Sequence, residues 1–351
     1  MARYTILVVY GGESPEHDVS IGSAHNIFAA LDNEKYDVQL VYIDRYGKWW
    51  LTKRIDGNHI GCPQLIPVLG QGQFITLPGE RIIRPDVMFP VLHGHNGEDG
   101  AIQGVAQMLH VPCVGPDVLA AAATMDKDVT KRLLMQAGVP VVPWITWDSA
   151  TEETLSFTAA TETLGDTLFI KPNTAGSSVG VTKATTSAQF SEGLHAAAQH
   201  GRYVLIEQAL QARELELAVM GTTVVSVTSP GEIEPGDEFY SYDDKYDAAS
   251  TAKIVIPAEV DENLAESLKE LAKKAYVATR CVGMARVDFF LGANGEVYCN
   301  EINSIPGFTT ISMFPKLWHS QGKKYPQLID ELVRDAIDEY NRSKKKYNWR
   351  S

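Results

Sequence analysis

Between Ala285 and Asn303 the chain reads as two alternating runs joined by Gly292-Ala293-Asn294-Gly295. Asn-Gly between such runs is the strongest short-range hairpin signal, a two-residue type I′ turn. With Asn294 and Gly295 as the turn residues, Asp288 is expected opposite Glu301 and Arg286 opposite Asn303. Strand side chains alternate with period two, so all four share one face. Directly opposed Cβ atoms are about 4.5–5.5 Å apart, where like charges repel. Two carboxylates so placed need a cation. Hard oxygen ligands beside an amide and a guanidinium suit Mg²⁺ held jointly with substrate phosphates. The alternative is a solvated polar face balanced by Arg286, although such a face more usually sets Lys or Arg across from Glu. The hairpin continues into Pro306-Gly307-Phe308-Thr309. There Gly307 either lets backbone N–H groups approach a ligand or simply completes a Pro-Gly turn.

Composition narrows the partners. The 351 residues carry 31 basic and 44 acidic side chains, a net charge of −13, which repels phosphate backbones and anionic membranes. The one dense basic run, Lys344-Lys345-Lys346, is explained by a solvated terminus. The apolar run Ile6–Tyr10 is far short of the roughly 20 residues of a membrane span, and no signal-peptide pattern surrounds it. Four scattered cysteines, Cys62, Cys113, Cys281 and Cys299, fit neither a zinc ribbon nor a disulfide framework. The expectation is a soluble cytoplasmic enzyme, with no nucleic-acid or membrane partner.

At roughly 150 residues per domain the length allows two to three domains. Tyr4–Tyr10 reads as a strand that runs into Gly11-Gly12 and a helix with Ala24, Ile27, Phe28 and Leu31 on one stripe. Val38–Ile43 and Val87–Leu92 read as further strands, with a loop-rich stretch punctuated by Pro63, Pro67, Gly70, Gly72, Pro78 and Gly79 between them. This order predicts an open parallel sheet for the first 120 or so residues, with ligands outside the strands' carboxyl ends. Gly11–Glu16 and His93–Asp99 lie at such ends. Farther on, Met125–Gln136 reads as a basic helix, Phe169-Ile170 and Tyr203–Glu207 as strands, and two amphipathic helices carry Leu264, Leu268, Leu271, Ala275 and then Leu328, Leu332, Val333, Ala336, Ile337.

Lys171 precedes Asn173-Thr174-Ala175-Gly176-Ser177-Ser178-Val179-Gly180. Small residues between glycines form a loop able to offer N–H donors to phosphate oxygens, with Lys171 as a point charge. Taken alone, it reads more readily as an ordinary Gly/Ser turn. Lys127 is a second candidate cation, or else a solvated helix lysine. Where Glu207–Leu210 leaves its strand, the backbone can meet an adenine edge, and the Glu214 carboxylate can hold ribose hydroxyls. Neither inference stands without the phosphate loop.

These motifs resemble the D-alanine–D-alanine ligase family. The likeness is carried by Gly11-Gly12-Glu13-Ser14-Pro15-Glu16-His17-Asp18-Val19-Ser20, by His93-Gly94 through Gly97-Glu98-Asp99-Gly100, by Gly176–Gly180, and by Asn303 through Pro306-Gly307-Phe308-Thr309. It spans nearly the whole chain. The resemblance implies an α/β N-terminal domain (residues 1–122) followed by an ATP-grasp fold of two α+β subdomains, 123–211 and 212–351, with a lid loop over 232–257. It implies ATP-dependent joining of two D-alanines through a D-alanyl phosphate, for peptidoglycan precursor synthesis. Lys127 and Lys171, with Ser178, match the phosphate-binding positions; Glu207 and Leu210 match the adenine segment, and Glu214 the ribose carboxylate. Asp288, Glu301 and Asn303 match the ligands of two Mg²⁺ ions, for which Mn²⁺ could substitute. Glu16 matches the residue holding the first D-alanine's ammonium, tied to Ser177 and Tyr246. Lys245 matches the loop lysine that reaches the transferred phosphate. His93 and Arg286 fall near the reacting carboxyl, with Arg286 and the Gly307 N–H as the oxyanion site. Ser312 and Met313 match the second D-alanine's subsite, and Tyr246 with Met313 favours D-alanine over D-lactate or D-serine there. The family pattern also implies a homodimer. Ser304 replaces the family's usual Thr and Ala212 its usual Gly, each small for small.

Overall fold

The structure is a computed structural model that describes residues 3–150, 155–176, 179–234 and 253–346. It opens with β1 (Tyr4–Gly11), α1 (His17–Ala30) and β2 (Tyr36–Ile43), and β1 pairs parallel with β2 along its whole length. A meander follows through β3 (Trp49–Thr52), β4 (Gln64–Val68), β5 (Gln73–Leu77) and β6 (Ile82–Ile83), and then β7 (Val87–Pro90) and α2 (Ala101–Leu109). The sheet order is β6-β5-β4-β3-β2-β1-β7. Only β2, β1 and β7 form the expected parallel sheet; β3–β6 extend it antiparallel, through the stretch whose glycines and prolines read as loop. Pro67 is accommodated inside β4, because one ladder partner without an N–H is tolerable near a sheet margin. The α1 stripe also shifts. Ala24, Ile27 and Leu31 are buried but Phe28 is exposed, and Ser20 and Ser23 take core-facing places.

The basic helix foreseen at Met125–Gln136 is two helices, α3 (Val118–Met125) and α4 (Lys127–Gln136). Asp126 breaks them: its extended backbone ends α3, and its carboxylate caps α4 by accepting from Val129 N at 2.9 Å. A four-stranded antiparallel sheet then forms from β8 (Trp144–Asp148), β9 (Leu168–Pro172), β10 (Thr182–Ala184) and β11 (Tyr203–Gln208), in the order β10-β9-β11-β8. Its apolar side is covered by α5 (Phe157–Leu164) and α6 (Ser187–Ala198), with Ile170, Val204, Ile206, Phe190 and Leu194 as core.

The third sheet contains β12 (Ala212–Met220), β13 (Ser226–Val227), β14 (Gly231–Glu234) and β15 (Lys253–Val255), then, after α7 (Glu262–Ala278), β16 (Met284–Gly292) and β17 (Val297–Asn303). One face packs on α7 through Leu268, Ala272 and Ala275. The other shares a core with β1 and α1 of the first sheet through Met220, Met284, Phe308 and the closing helices α8 (Met313–Ser320) and α9 (Tyr325–Lys346). That shared core is why segments 200 to 300 residues apart meet at one site. Both ends of the foreseen 232–257 lid are strand, Glu232–Glu234 in β14 and Lys253–Val255 in β15, paired to each other. The intervening residues, Lys245 and Tyr246 among them, lie outside the described residues. Among the described residues no helix is long and apolar enough to cross a membrane.

Candidate active site

The β16–β17 hairpin places Arg286 opposite Asn303 and Asp288 opposite Glu301, as the turn argument requires. It does so by another route. The turn is three residues, Ala293-Asn294-Gly295, with Gly295 N donating to Gly292 O and Gly295 in the left-handed region at φ +82°. Beyond it Leu291 faces Val297 and Phe289 faces Cys299, one residue out of the expected register. A β-bulge at Asn300 then restores the offset before Glu301. The bulge has a physical reason: without it, Asn300 would face Asp288 and Glu301 would fall opposite the fully buried Val287, in the core place that Ile302 fills.

Three carboxylates converge here. Glu216 on β12 pairs in register with Asp288, and both are buried. Arg286 grips Asp288 with both arms of its guanidinium, Nε to Oδ1 at 2.8 Å and Nη2 to Oδ2 at 2.7 Å, and lies 2.9 Å from Glu216 Oε2. Asn303 Nδ2 donates to Asp288 Oδ2 at 2.9 Å. Burial works against the Arg286 charge, but Asp288 and then Glu216 outweigh it and hold its pKa well above the ordinary value. Glu216 escaped the sequence reading because nothing in Arg213-Glu214-Leu215-Glu216 shows that this strand pairs with β16 in the register that sets Glu216 beside Asp288. Among the described residues no three His, Cys, Asp or Glu side chains form a ready cage for a metal. Two carboxylates and an amide on one strand face suit a hard cation that brings further oxygen ligands with its substrate.

A second group of charges lies across from the hairpin. Lys127 Nζ donates to Ala175 O at 2.7 Å, and Asn173 ties α4 to the loop through Lys127 N and Asp128 N. Lys171 Nζ is 2.6 Å from Glu207 Oε2, while Lys131 Nζ, one helical turn after Lys127, is 2.8 Å from Glu207 Oε1. Burial would raise the Glu207 pKa, but Lys171 and Lys131 together carry it below the ordinary value. Burial likewise pulls Lys127 down, against Glu301. The Glu207 side chain is thus an anchor for two lysines, a part the sequence did not reveal. Gly180, at φ +71°, closes the loop where a Cβ would come within 2.9 Å of Pro172. Ser177 and Ser178 lie outside the described residues. Glu214 stands on β12 between Ile233 and Phe290, and Leu210 just beyond β11.

The N-terminal sheet closes the site. Glu16 precedes α1, and its Oε2 is so near Gly94 that a Cβ there would lie 2.9 Å away; one at Gly176 would lie 3.4 Å away. The Glu16 carboxylate therefore lies within a side chain's reach of both Gly94 and Gly176. His93 is buried, 3.2 Å from Ser23 Oγ through Nε2 and 3.2 Å from Ile305 O through Nδ1. Its burial, opposed by Glu16, lowers the pKa and leaves a neutral ring. Glu98, singled out earlier only as part of a motif, accepts from Gly94 N at 2.7 Å. Burial first, then Glu16, pushes its pKa up to about 8.

Phe308 N donates to Ser23 Oγ at 3.1 Å and Asn26 Nδ2 to Phe308 O at 2.9 Å, so α1 fixes the segment after the hairpin. Within it Gly307 is needed for space, since a Cβ would sit 2.7 Å from Ser312 Oγ. Ser312 accepts from Thr309 N at 2.9 Å. Met313 is in the shared core, 3 % exposed, packed against Phe314 and Leu317 rather than standing in an open cleft.

Two family models match the chain: D-ala D-ala ligase N-terminus over residues 5–116 and D-ala D-ala ligase C-terminus over residues 133–334. A D-alanine–D-alanine ligase from Shouchella clausii is 42% identical, the match covering 98% of this chain and 97% of the relative. The solved structure of the D-alanine–D-alanine ligase from Coxiella burnetii superposes with a TM-score of 0.89 at 32% identity, covering 99% of this chain and 98% of that one. The VanG D-Ala:D-Ser ligase from Enterococcus faecalis superposes with a TM-score of 0.85 at 32% identity, over 95% of this chain and all of that one.

Proposed function

The chain belongs to the D-alanine–D-alanine ligase family, with its ATP-grasp fold, and from that premise we propose how its residues join two D-alanines at the expense of ATP in peptidoglycan precursor synthesis. The observation that carries the reading is the opposition of Asp288 and Glu301 beside Arg286, facing the Lys127 and Lys171 loop. A carboxylate is a poor electrophile, so the first D-alanine must become a D-alanyl phosphate before an amine can attack it. Triphosphate, substrate carboxylate and acidic ligands then crowd together, and the residues at the site offset that repulsion.

Glu16 binds the ammonium of the first D-alanine, and its nearness to Gly176 orients that substrate toward the phosphates. Lys127 and Lys171 hold phosphate oxygens, with Ser178 and Lys245 adding donors. The backbone of Glu207 through Leu210 meets the adenine, leaving the Glu207 side chain to its two lysines, and Glu214 meets the ribose. Asp288, Glu301 and Asn303 would hold two Mg²⁺ ions (or Mn²⁺), which would supply charge neutralisation to the phosphates. Arg286 and the Gly307 N–H receive the tetrahedral oxyanion formed by the second amine. His93, held neutral, can hydrogen-bond near the reacting carboxyl without adding charge. The family resemblance makes Ser177 and Tyr246 the proposed hydrogen-bonding partners of Glu16. Ser312 borders the second subsite through its place beside Gly307, and Met313 shapes it from beneath. Residues 1–122, 123–211 and 212–351 form the three structural units, and the enzyme acts as a cytoplasmic homodimer.

The likeness to a D-Ala:D-Ser ligase supports one second reading, in which the acceptor is D-serine or D-lactate. Met313, apolar and buried, favours D-alanine instead. The test is ADP release with D-alanine against L-alanine, followed by product identification, then with D-serine or D-lactate added. ADP release that needs D-alanine, with the D-alanyl dipeptide as product, is expected. Faster turnover and a mixed product with either addition would move the assignment to the second reading.

A further inference from the structure

Lys131 is one of the largest fully buried side chains described, 1 % exposed, and it carries an ammonium group. It projects from α4 one turn beyond Lys127, donates to Val142 O at 3.1 Å and lies 5.5 Å from the centroid of the Trp144 ring. Its charge partner is Glu207, whose other oxygen holds Lys171. Burying an ammonium is costly, and a buried ion pair is poor evidence of a stability role. Methionine would fill the same space at no such cost. The charge at this position has another use.

The three side chains carry two positive charges and one negative. Lys171 paired with Glu207 alone would be a neutral couple, and its ammonium, 2.6 Å from a carboxylate, would have to be drawn away from that carboxylate by any phosphate. With Lys131 opposite, the carboxylate is shared and the cluster keeps a net charge of +1 next to the phosphate loop. We infer that Lys131 is a positioning residue for the nucleotide: it balances Glu207 so that Lys171 meets the ATP phosphates as an uncancelled cation. Buried behind Glu207, it does this without touching the ligand. The inference rests on the assignment of Lys171 to the nucleotide under the proposed function.

The experiment is the ATP dependence of Lys131→Met, Glu207→Gln and the double variant, by steady-state ADP release and by equilibrium titration of a non-hydrolysable ATP analogue with Mg²⁺. Lys131→Met should raise the KM and the analogue Kd about tenfold or more, with the KM for D-alanine changed less than about twofold. The double variant restores the net charge of +1 and should recover most of the affinity. A merely structural lysine would not yield to this second change, because removing two buried partners adds damage rather than reversing it. A folded Lys131→Met with unchanged ATP affinity would overturn the inference, as would a double variant no better than the single. If Lys131→Met fails to fold, the double variant decides: wild-type-like affinity supports the charge balance, and tenfold weaker binding refutes it. Wild-type protein that binds the analogue but releases no ADP with D-alanine would refute the ligase reading while leaving this comparison intact.

Discussion

Asp288 and Glu301 face each other across two antiparallel strands, and Asn300, bulged out beside them, keeps them in line. Asp288 is committed on both oxygens to Arg286, and Glu301 adds the second carboxylate of the facing pair. A fixed guanidinium answers Asp288, while Glu301 favours the charged forms of both Lys127 and Arg286.

Replacing Glu301 by Gln removes a like charge opposite Asp288 and so should leave the melting temperature unchanged or slightly higher. ADP release should nonetheless fall at least about 100-fold, the scale on which disturbed metal sites lose activity. Parallel thermal melts and turnover assays check this. A variant that loses stability and keeps its rate would contradict the metal assignment.

Chelation separates catalysis from folding. Asp288 is held by protein partners, Arg286 and Asn303, so the fold is expected to stand without a metal. Adding EDTA should stop ADP release completely while the melting temperature without nucleotide stays within about 1 °C, unlike domains whose metal supplies folding energy.

Glu98 makes stability depend on pH. Its folded pKa is near 8 against 4.5 for the free group, so between these values the native state holds a proton that the unfolded chain has released. That contribution is complete below about pH 4.5 and is lost as pH rises toward 8. Glu98→Gln should abolish this loss, its stability advantage over wild type growing to on the order of a few kcal/mol by pH 8.5. Denaturant melts at pH 5.5, 7 and 8.5 measure it; an advantage constant with pH would rule it out.

Gly11 ends β1 at φ +94°, where an added Cβ would lie 2.2 Å from Ile43 O on the neighbouring strand. Gly11→Ala should cost on the order of 2–4 kcal/mol, combining backbone strain with a clash against an unyielding ladder. Chemical denaturation gives the number. The smaller effect expected of a change at Gly61, where a Cβ meets nothing within 4 Å, is the control.

Local chemistry was legible in the chain itself. Asn294-Gly295 between alternating runs determined a hairpin, the glycines and hydroxyls after Lys171 determined a loop, and spaced leucines determined the helix at Glu262–Ala278, because turn geometry and side-chain period act over a few residues. The small and charged motifs likewise named residues that the fold brings near one another, Glu16 with Gly94 and Gly176. What the tertiary structure decided was pairing. The three-residue turn and the bulge at Asn300 cancel so that Cys299 and Ile302 both enter the core while Glu301 faces Asp288, and that core is built with α7 and β12 rather than by the hairpin alone. Glu216 joins the acidic site, and Lys131 with Lys171 claims Glu207, through contacts between strands and helices distant in sequence. Charge–charge partners across such separations leave no periodic trace. Which carboxylate answers which cation is therefore fixed by packing alone.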